Sequence, residues 1–186
     1  SGTISFRGKQ LSLKECRKLC AFVMQDVNHQ LFSDSVWDEC ELSAPSESAA
    51  MIEALLKRFD LLGLKDSHPM ALSGGQKQRI SITRALVRQA KVLILDDSTS
   101  AVDTKTDALI RKSFKESIPN VTKIIVAQRI SSVEDADKII VLNDGKIVFD
   151  EGRIVEEGTH EELLKTNDIY REVYEGQMKG ADSDEA

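Results

Sequence analysis

The sequence predicts an α/β fold, with a parallel sheet in its core and a small helical subdomain. Apolar runs of four or five residues, such as Val92–Leu95, recur between stretches with helical periodicity. Short continuous apolar runs rich in Val and Ile are typical of strands that are buried on both faces of a parallel sheet. We therefore expect strands near 19–24, 91–96, 122–127 and 138–142 in one parallel core.

A helical subdomain is predicted at residues 33–71, between the first two core strands. Ser33 or Asp34 can cap its first helix, and a linker containing proline and serines follows at Leu42–Glu47. A second helix is predicted over Ser48–Leu62, because apolar residues recur there at helical spacing.

The composition argues against two classes of function. Lys and Arg number 25 against 31 Asp and Glu, a net charge of −6, which gives no electrostatic basis for binding nucleic acid. The apolar runs are far shorter than a membrane span and no signal peptide opens the sequence, so we expect a membrane role only through a partner. The three cysteines, Cys16, Cys20 and Cys40, lack the spacing of a zinc site, and we expect reduced thiols in a cytosolic compartment.

A helix with a glycine-rich start is predicted near the middle of the chain. It follows the run Ser73-Gly74-Gly75 and extends from Gln76 to about Gln89. The run supplies a hydroxyl and bare backbone N–H groups, which suit phosphate oxygens at a helix N-terminus.

Two adjacent carboxylates, Asp96 and Asp97, follow the predicted strand Val92–Leu95. Sheets of α/β proteins place their ligands at the carboxyl ends of the strands, and an aspartate there can hold the magnesium of a nucleotide. Taken alone, however, a capped helix and a core strand are also ordinary structural features.

Three motifs together resemble the ATP-binding cassette (ABC) ATPases of membrane transporters. Leu72–Arg79 resembles their signature motif, Val92–Asp97 their Walker B strand and Ser100–Asp103 their D-loop. The resemblance implies an α/β, P-loop NTPase-like (ABC ATPase) parallel sheet core, with ATP and Mg as cofactors and ATP hydrolysis coupled to transport. It also implies two partners, a second ABC domain in a homo- or heterodimer and a transmembrane transporter subunit, and a cytoplasmic location peripheral to the inner membrane.

The same resemblance implies roles for individual side chains. Gln25 takes the Q-loop position and Gln128 the position of the family's switch histidine, and with the general base Asp97 they are the implied catalytic residues. Asp96 and Gln25 are the implied Mg contacts. The implied nucleotide contacts are Ser73, Gly74, Gly75, Gln76 and Asp103. In the dimers of this family each signature motif faces ATP held by the partner's P-loop, so this chain can complete a partner's site in trans.

The resemblance is incomplete at the N-terminus. No glycine has the P-loop spacing Gly-x-x-x-x-Gly-Lys-Ser/Thr, so we interpret residues 1–178 as a partial ABC ATPase domain. Asp97 is one methylene shorter than the family's usual Glu, and Gln128 cannot carry the positive charge of a histidine. We therefore expect negligible ATP hydrolysis by the isolated chain. The acidic tail at 179–186 is expected to be disordered.

Three hypotheses about function stay open from the sequence. The first is an ABC nucleotide-binding domain that drives transport, and the second is a non-catalytic dimerisation partner that supplies the signature motif in trans. The third is a recombined fold fragment without native activity, because residues up to about Ile80 resemble energy-coupling importers and those from about Thr83 resemble ABC exporters.

A near-repeat lies in the C-terminal part of the chain. Asp144–Val148 and Glu151–Val155 have almost the same sequence and lie seven residues apart. Either the second copy adds a hairpin strand or one copy loops out, and a small antiparallel pair is expected near 146–156.

Overall fold

The computed structural model of the chain describes residues 3–44, 48–97, 104–143, 146–147, 149–150, 153–154 and 156–183. The chain divides into two compact units, Ser1–Val126 and Ala127–Ala186. The sequence, by contrast, predicts one domain with an inserted subdomain. Each unit has a hydrophobic cluster formed by its own residues, and each unit is therefore described by itself.

The first unit opens with a hairpin and a short helix. Strands β1 (Ser5–Phe6) and β2 (Lys9–Gln10) pair antiparallel. The turn between them has a positive φ at both central residues, 50° at Arg7 and 78° at Gly8, which matches the twist of a two-residue hairpin. Helix α1 (Leu13–Leu19) follows.

Three parallel strands form the centre of the first unit: β3 (Cys20–Val23), β4 (Val92–Asp96) and β5 (Thr122–Val126). β4 lies between the other two strands. Because the strands are parallel, their carboxyl ends lie at one edge of the sheet. The three strands that the sequence predicts for this part of the chain are confirmed.

Among the described residues, one face of this sheet belongs to the hydrophobic core of the first unit. The side chains buried on it include Ala21, Val23, Leu93 and Leu95. On the opposite face, Phe22, Ile124 and Val126 are 43%, 50% and 50% exposed. The prediction of strands buried on both faces is therefore wrong, because a continuous apolar run does not reveal whether one face or both are covered.

Helices form most of the rest of the first unit. They are α2 (Val36–Glu41), α3 (Ala49–Arg58), α4 (Gly74–Val87) and α5 (Thr104–Ser117), with 3₁₀ turns at Val27–His29, Leu62–Leu64 and Pro69–Ala71. Ser35, and not the predicted Ser33 or Asp34, caps α2, because its Oγ accepts a hydrogen bond from the Asp38 N–H at 3.0 Å. α4 begins before the predicted Gln76, so both glycines of the run lie in its first turn.

Every regular element within the described parts of 33–71 is helical, which is the secondary structure expected there. Ile52 and Leu56 of α3 are fully buried in the same cluster as Ile80 and Ile82 of α4. α3 therefore packs against α4 through apolar side chains. This contact anchors the helix that begins at the glycine run.

Short antiparallel strands characterise the second unit. They are β6 (Ile139–Ile140), β7 (Leu142–Asn143), β8 (Lys146–Ile147), β9 (Phe149–Asp150), β10 (Arg153–Ile154) and β11 (Glu157–Gly158). β6 pairs antiparallel with β11, so the prediction that 138–142 joins the parallel core is wrong. A short apolar run does not specify its partner strand, and here the partner lies in the same unit.

Two successive hairpins contain the near-repeat. β7 pairs with β8 and β9 pairs with β10, both antiparallel. The first near-copy contributes Lys146–Ile147 and the second contributes Arg153–Ile154. The extra-strand alternative is therefore confirmed, as is the antiparallel pair expected near 146–156.

Two helices, α6 (His160–Thr166) and α7 (Asp168–Ser183), complete the second unit. Thr159 caps α6 by accepting a hydrogen bond from the Glu162 N–H at 3.3 Å. α7 ends at Ser183, within the tail predicted at 179–186, and residues 184–186 lie outside the described residues. No helix in the described part of the chain combines the length and apolarity needed to cross a membrane.

Candidate functional site

Asp96 and Asp97 lie at the carboxyl edge of the central sheet. Asp96 is the last residue of β4 and pairs with Val126 of β5. Asp97 follows with a φ of 42°, and its N–H donates a hydrogen bond to the Val126 carbonyl oxygen at 2.8 Å. A positive φ is unfavourable for a residue other than glycine. The end of the sheet therefore holds Asp97 in a strained position, in which it is only 9% exposed.

Gln25 meets Asp97 at this edge. It follows β3, the strand next to β4, and its Nε2 donates a hydrogen bond to Asp97 Oδ2 at 3.4 Å. This bond is longer than the usual N–H···O distance. The structure thus brings together two of the predicted catalytic residues, which lie 72 positions apart in the sequence.

The side chains at this edge fit a magnesium ion. Mg²⁺ prefers oxygen ligands, and proteins usually hold it by one or two carboxylates together with substrate phosphates and waters. Asp96 and Asp97 are two such carboxylates, and Gln25 adds an amide in hydrogen-bond contact with one of them. The residue types at this edge therefore match the oxygen donors that Mg²⁺ usually takes in proteins.

The loop after Gln25 is tied back to β3 by the side chain of Gln30. Its Oε1 accepts a hydrogen bond from the Met24 N–H at 3.0 Å, and its Nε2 donates to the Phe22 carbonyl oxygen at 3.1 Å. One amide thus contacts the backbone on both sides of Val23. These bonds fix the end of β3, from which Gln25 extends.

Helix α4 is bonded to the same loop at two points. Lys77 Nζ donates a hydrogen bond to Asn28 Oδ1 at 3.0 Å, and the Arg84 guanidinium donates to the carbonyl oxygen of Gln30. Arg84 also forms an ion pair with Glu39 of α2 at 2.5 Å. The helix that begins at the glycine run is therefore connected both to the Gln25 loop and to the helical region.

Glu39 is fully buried, and its role is absent from the sequence predictions. Its Oε2 accepts hydrogen bonds from the N–H groups of Phe32 and Ser33, both at 2.9 Å, while its Oε1 pairs with Arg84. Burial is the largest influence and acts to raise the pKa, but the two N–H groups and Arg84 together outweigh it and lower the pKa of Glu39. In the sequence, Glu39 stands out only as one of several acids in a short amphipathic helix, which does not indicate its buried role.

The run from Ser73 to Gln76 forms a capping box at the start of α4. Ser73 Oγ accepts a hydrogen bond from the Gln76 N–H at 3.3 Å, and Gln76 Oε1 accepts one from the Ser73 N–H at 2.9 Å. Gly74 is exposed, and a Cβ placed on it would meet no atom within 4 Å. Its φ is not positive either, so nothing in the described part of the chain requires glycine there. The bare backbone is therefore accessible to a ligand.

Asp103 and Gln128 are the remaining predicted site residues. Asp103, with the rest of the predicted D-loop, lies outside the described residues. Gln128 belongs to the second unit, where its carbonyl oxygen accepts a hydrogen bond from Gln177 Nε2 at 2.8 Å. The Gln177 contact is absent from the sequence predictions, since a lone glutamine on a helix gives no signal of its partner.

Comparison with known proteins points to membrane transporters. The family model described as ABC transporter matches residues 1–100. YheI of Bacillus subtilis (strain 168), a probable multidrug resistance ABC transporter ATP-binding/permease protein, is 40% identical over 191 residues, which cover 95% of this chain and 31% of YheI. An ATP-dependent lipid A-core flippase of Neisseria meningitidis (strain DSM 15465 / Z2491) is 37% identical over 161 residues, which cover 81% of this chain and 24% of the flippase.

A solved structure gives the same result for the fold. A bacterial Atm1-family ABC exporter with ATP bound matches 96% of this chain and 32% of its own chain, with a TM-score of 0.81 and 29% sequence identity. The chain spans between 24% and 32% of the length of the relatives it matches here. The motifs, the fold and the family match agree with one another. The chain belongs to the ABC transporter family, and its α/β fold is that of the family's ATP-binding domain.

Proposed function

We propose that the chain acts in an ABC exporter, where it couples ATP binding and hydrolysis to transport. The observation that carries the proposal is the start of α4, where Ser73 and Gln76 cap each other and Gly74 leaves its backbone uncovered. Such a start offers N–H groups and a hydroxyl to phosphate oxygens. The relatives support the exporter class, since they include flippases and an exporter.

The edge that carries Asp96 and Asp97 is the proposed nucleotide site of the chain itself. Bound Mg-ATP supplies the phosphoryl group and a cation that neutralises its charge. Asp96 is the residue proposed to hold the cation, with Gln25 as a second contact. Asp97 is proposed to accept a proton from the attacking water, because its buried carboxylate is oriented by the Gln25 amide.

We expect slow ATP turnover at this site because of two side chains, Asp97 and Gln128. Asp97 is one methylene shorter than a glutamate, and a misplacement of about 1 Å can cost about a hundredfold in rate. Gln128 is proposed to hydrogen-bond the γ-phosphate, but a neutral amide does not supply the positive charge of a histidinium. Asp103 remains a proposed nucleotide contact.

The signature run is proposed to act in trans. Ser73, Gly74, Gly75 and Gln76 are proposed to face ATP held by the P-loop of a second ABC domain in a head-to-tail dimer. The exposure of Ser73 and Gly74 supports this, since a partner's nucleotide must reach them. The second proposed partner is a transmembrane transporter subunit, which would place the chain at the cytoplasmic face of the inner membrane.

The trans role can be tested with a P-loop-bearing ABC domain whose own signature serine is replaced by arginine. Such a domain lacks a working signature, so its ATP turnover should rise when this chain is added. Ser73→Arg removes the hydroxyl and places a bulky side chain where phosphate oxygens must approach. We expect it to reduce the stimulation about a hundredfold, measured as phosphate release.

Ser12→Arg is the matched control for this experiment. Ser12 also heads a capping box, with Glu15, at the start of α1, so its replacement removes the same kind of cap where no nucleotide contact is proposed. Stimulation by Ser12→Arg should equal that of the wild type. Equal stimulation by Ser73→Arg, or no stimulation by the wild type, would remove the trans role.

A further inference from the structure

The segment 128–130, which we call the switch segment, is held by a side chain of the last helix. Gln177 of α7 donates a hydrogen bond from Nε2 to the Gln128 carbonyl oxygen at 2.8 Å. Its Oε1 accepts one from the Ile130 N–H at 2.9 Å. Only the amides of Asn and Gln place a carbonyl acceptor and an NH₂ donor on one planar group. One side chain therefore makes two bonds to the backbone of the switch segment.

These two bonds reproduce the pairing of a β-strand. Arg129, the residue between them, is extended, with φ of −94° and ψ of 125°. On either side of an extended residue, the preceding C=O and the following N–H point in the same direction, toward a neighbouring strand. The Gln177 amide takes the place of a peptide group on that neighbour. The backbone of Arg129 is thereby held extended.

The bond to Ile130 also gives a hydrogen-bond acceptor to the first N–H group of a helical turn. Ile130 begins a 3₁₀ turn, Ile130–Ser132, in which the N-cap residue Arg129 makes no side-chain cap. The first N–H groups of a helical turn have no partner within it. Gln177 supplies that partner from α7, 47 positions away in the sequence.

The packing of α7 keeps Gln177 directed at the switch segment. Tyr170, Tyr174 and Gln177 are spaced i, i+4 and i+7 and therefore share one face of the helix. Tyr170 is 5% exposed and lies in one cluster with Ile130, and Tyr174 packs against that cluster. The face that anchors α7 is thus also the face that presents the amide.

We infer that Gln177 is a positioning residue for Gln128 in ATP hydrolysis. Its two bonds fix the backbone on both sides of Arg129, and so fix the point from which the Gln128 side chain extends. The inference rests on the proposed function, in which Gln128 contacts the γ-phosphate. The last helix then determines where that contact is made.

Three variants test the inference in the whole chain. Gln177→Ala removes both bonds, whereas Gln177→Glu keeps the acceptor for Ile130 and loses the donor to Gln128. Met178→Ala is the matched control, because Met178 is adjacent on α7 and 52% exposed. Amide hydrogen exchange followed by NMR should be about tenfold faster at Ile130 in Gln177→Ala than in the wild type. Met178→Ala should keep the wild-type rate, whereas Gln177→Glu should also exchange faster, because a carboxylate oxygen in the place of Nε2 would face the Gln128 carbonyl oxygen.

An internal reference comes from the Val133 N–H, which donates to the Ile130 carbonyl oxygen at 2.9 Å. Its exchange should be the same in all variants. In the transporter that contains the chain, Gln177→Ala and Gln177→Glu should lower kcat for ATP about tenfold. KM should be unchanged, and Met178→Ala should alter neither constant.

The outcomes decide two claims. The first is that Gln177 holds the switch segment, and the second is that it positions Gln128 for ATP hydrolysis. Equal exchange at Ile130 in the wild type and Gln177→Ala would overturn the inference whatever the turnover. Faster exchange with an unchanged kcat would overturn the positioning role. A wild-type transporter without ATP turnover would contradict the proposed function and with it the catalytic role, whereas the exchange result would still decide whether Gln177 holds the switch segment.

Discussion

Glu39 joins separate parts of the first unit through one buried carboxylate, with backbone N–H groups on one oxygen and Arg84 on the other. Its pKa in the folded chain lies below the ordinary value of 4.5. A carboxylate whose pKa falls on folding stabilises the folded state fully above its unfolded pKa. That stabilisation is lost as the pH falls through the folded pKa.

Glu39→Gln should lower the free energy of unfolding at pH 7 by about 3 kcal/mol, because the Arg84 cation is then left against a neutral amide. It should also flatten the decline of stability with acidification below the ordinary pKa of 4.5. Urea denaturation followed by circular dichroism at several pH values measures both effects. Glu41→Gln, on the exposed side of the same helix, should change the free energy by less than about 0.5 kcal/mol. If the stability of Glu39→Gln declined with acidification as steeply as that of the wild type, the contribution assigned to Glu39 would be contradicted.

At this scale the sequence predicts the residues at the carboxyl edge of the sheet better than the residues that support them. Gln25, Asp96 and Asp97 are predictable because each follows an apolar run, and parallel strands bring such positions to one edge. Glu39 and Gln177 are not, because their partners lie on elements whose packing no local pattern records. The residues of the proposed site are thus easier to find in the sequence than the residues that hold them in place.

At the scale of elements, helix α2 shows how packing selects among competing caps. Ser33, Asp34 and Ser35 are all good N-cap residue types, and the sequence predicts the first two. The structure starts the helix after Ser35, because that register buries Val36 and Cys40 completely. The position of the apolar pair, and not the cap residue itself, sets where the helix begins.

Ser35→Ala should therefore lower the free energy of unfolding by about 1 kcal/mol, because the Asp38 N–H loses its acceptor. Asp34→Ala, one residue earlier and exposed, should cost less than about 0.5 kcal/mol. Urea denaturation of both variants, followed by circular dichroism, compares them directly. An equal or larger cost at Asp34 would show that the helix begins where the sequence predicts.

Strand positions are predictable from short apolar runs, whereas strand partners are not. β4 lies where the sequence predicts it, because polar residues bound its apolar run at both ends. β6 lies where a strand is expected, yet it pairs antiparallel with β11. The pattern of one segment gives its conformation, and the identity of its neighbour depends on the rest of the unit.

At the scale of the whole molecule, the two hydrophobic clusters that the described residues form share no member. The buried residues of the first end at Phe114, with Ile118, Val121 and Ile125 packed against them, and those of the second begin at Ile130. The sequence predicts a single core because its apolar runs continue across this boundary. Separate clusters mean that each unit can have its own stability.

A fragment of residues 1–126 should therefore fold alone, because it contains the entire first cluster and all strands of the parallel sheet. Its far-ultraviolet circular dichroism should be helical, and urea should unfold it in one cooperative transition. A fragment of residues 1–91 is the control, because it lacks β4 and β5 and should show no such transition. A non-cooperative profile for 1–126 would show that the second unit is needed for folding.

The contacts of Arg84 have a consequence for motion. One guanidinium bonds both to the carbonyl oxygen of Gln30, 54 positions away, and to Glu39, 45 positions away. Helix α4, the loop after Gln25 and α2 therefore cannot move independently of one another. A displacement of α4 must either carry both neighbours with it or separate a buried ion pair. Fluctuations of these three segments are therefore expected to be correlated, as those of one rigid body are.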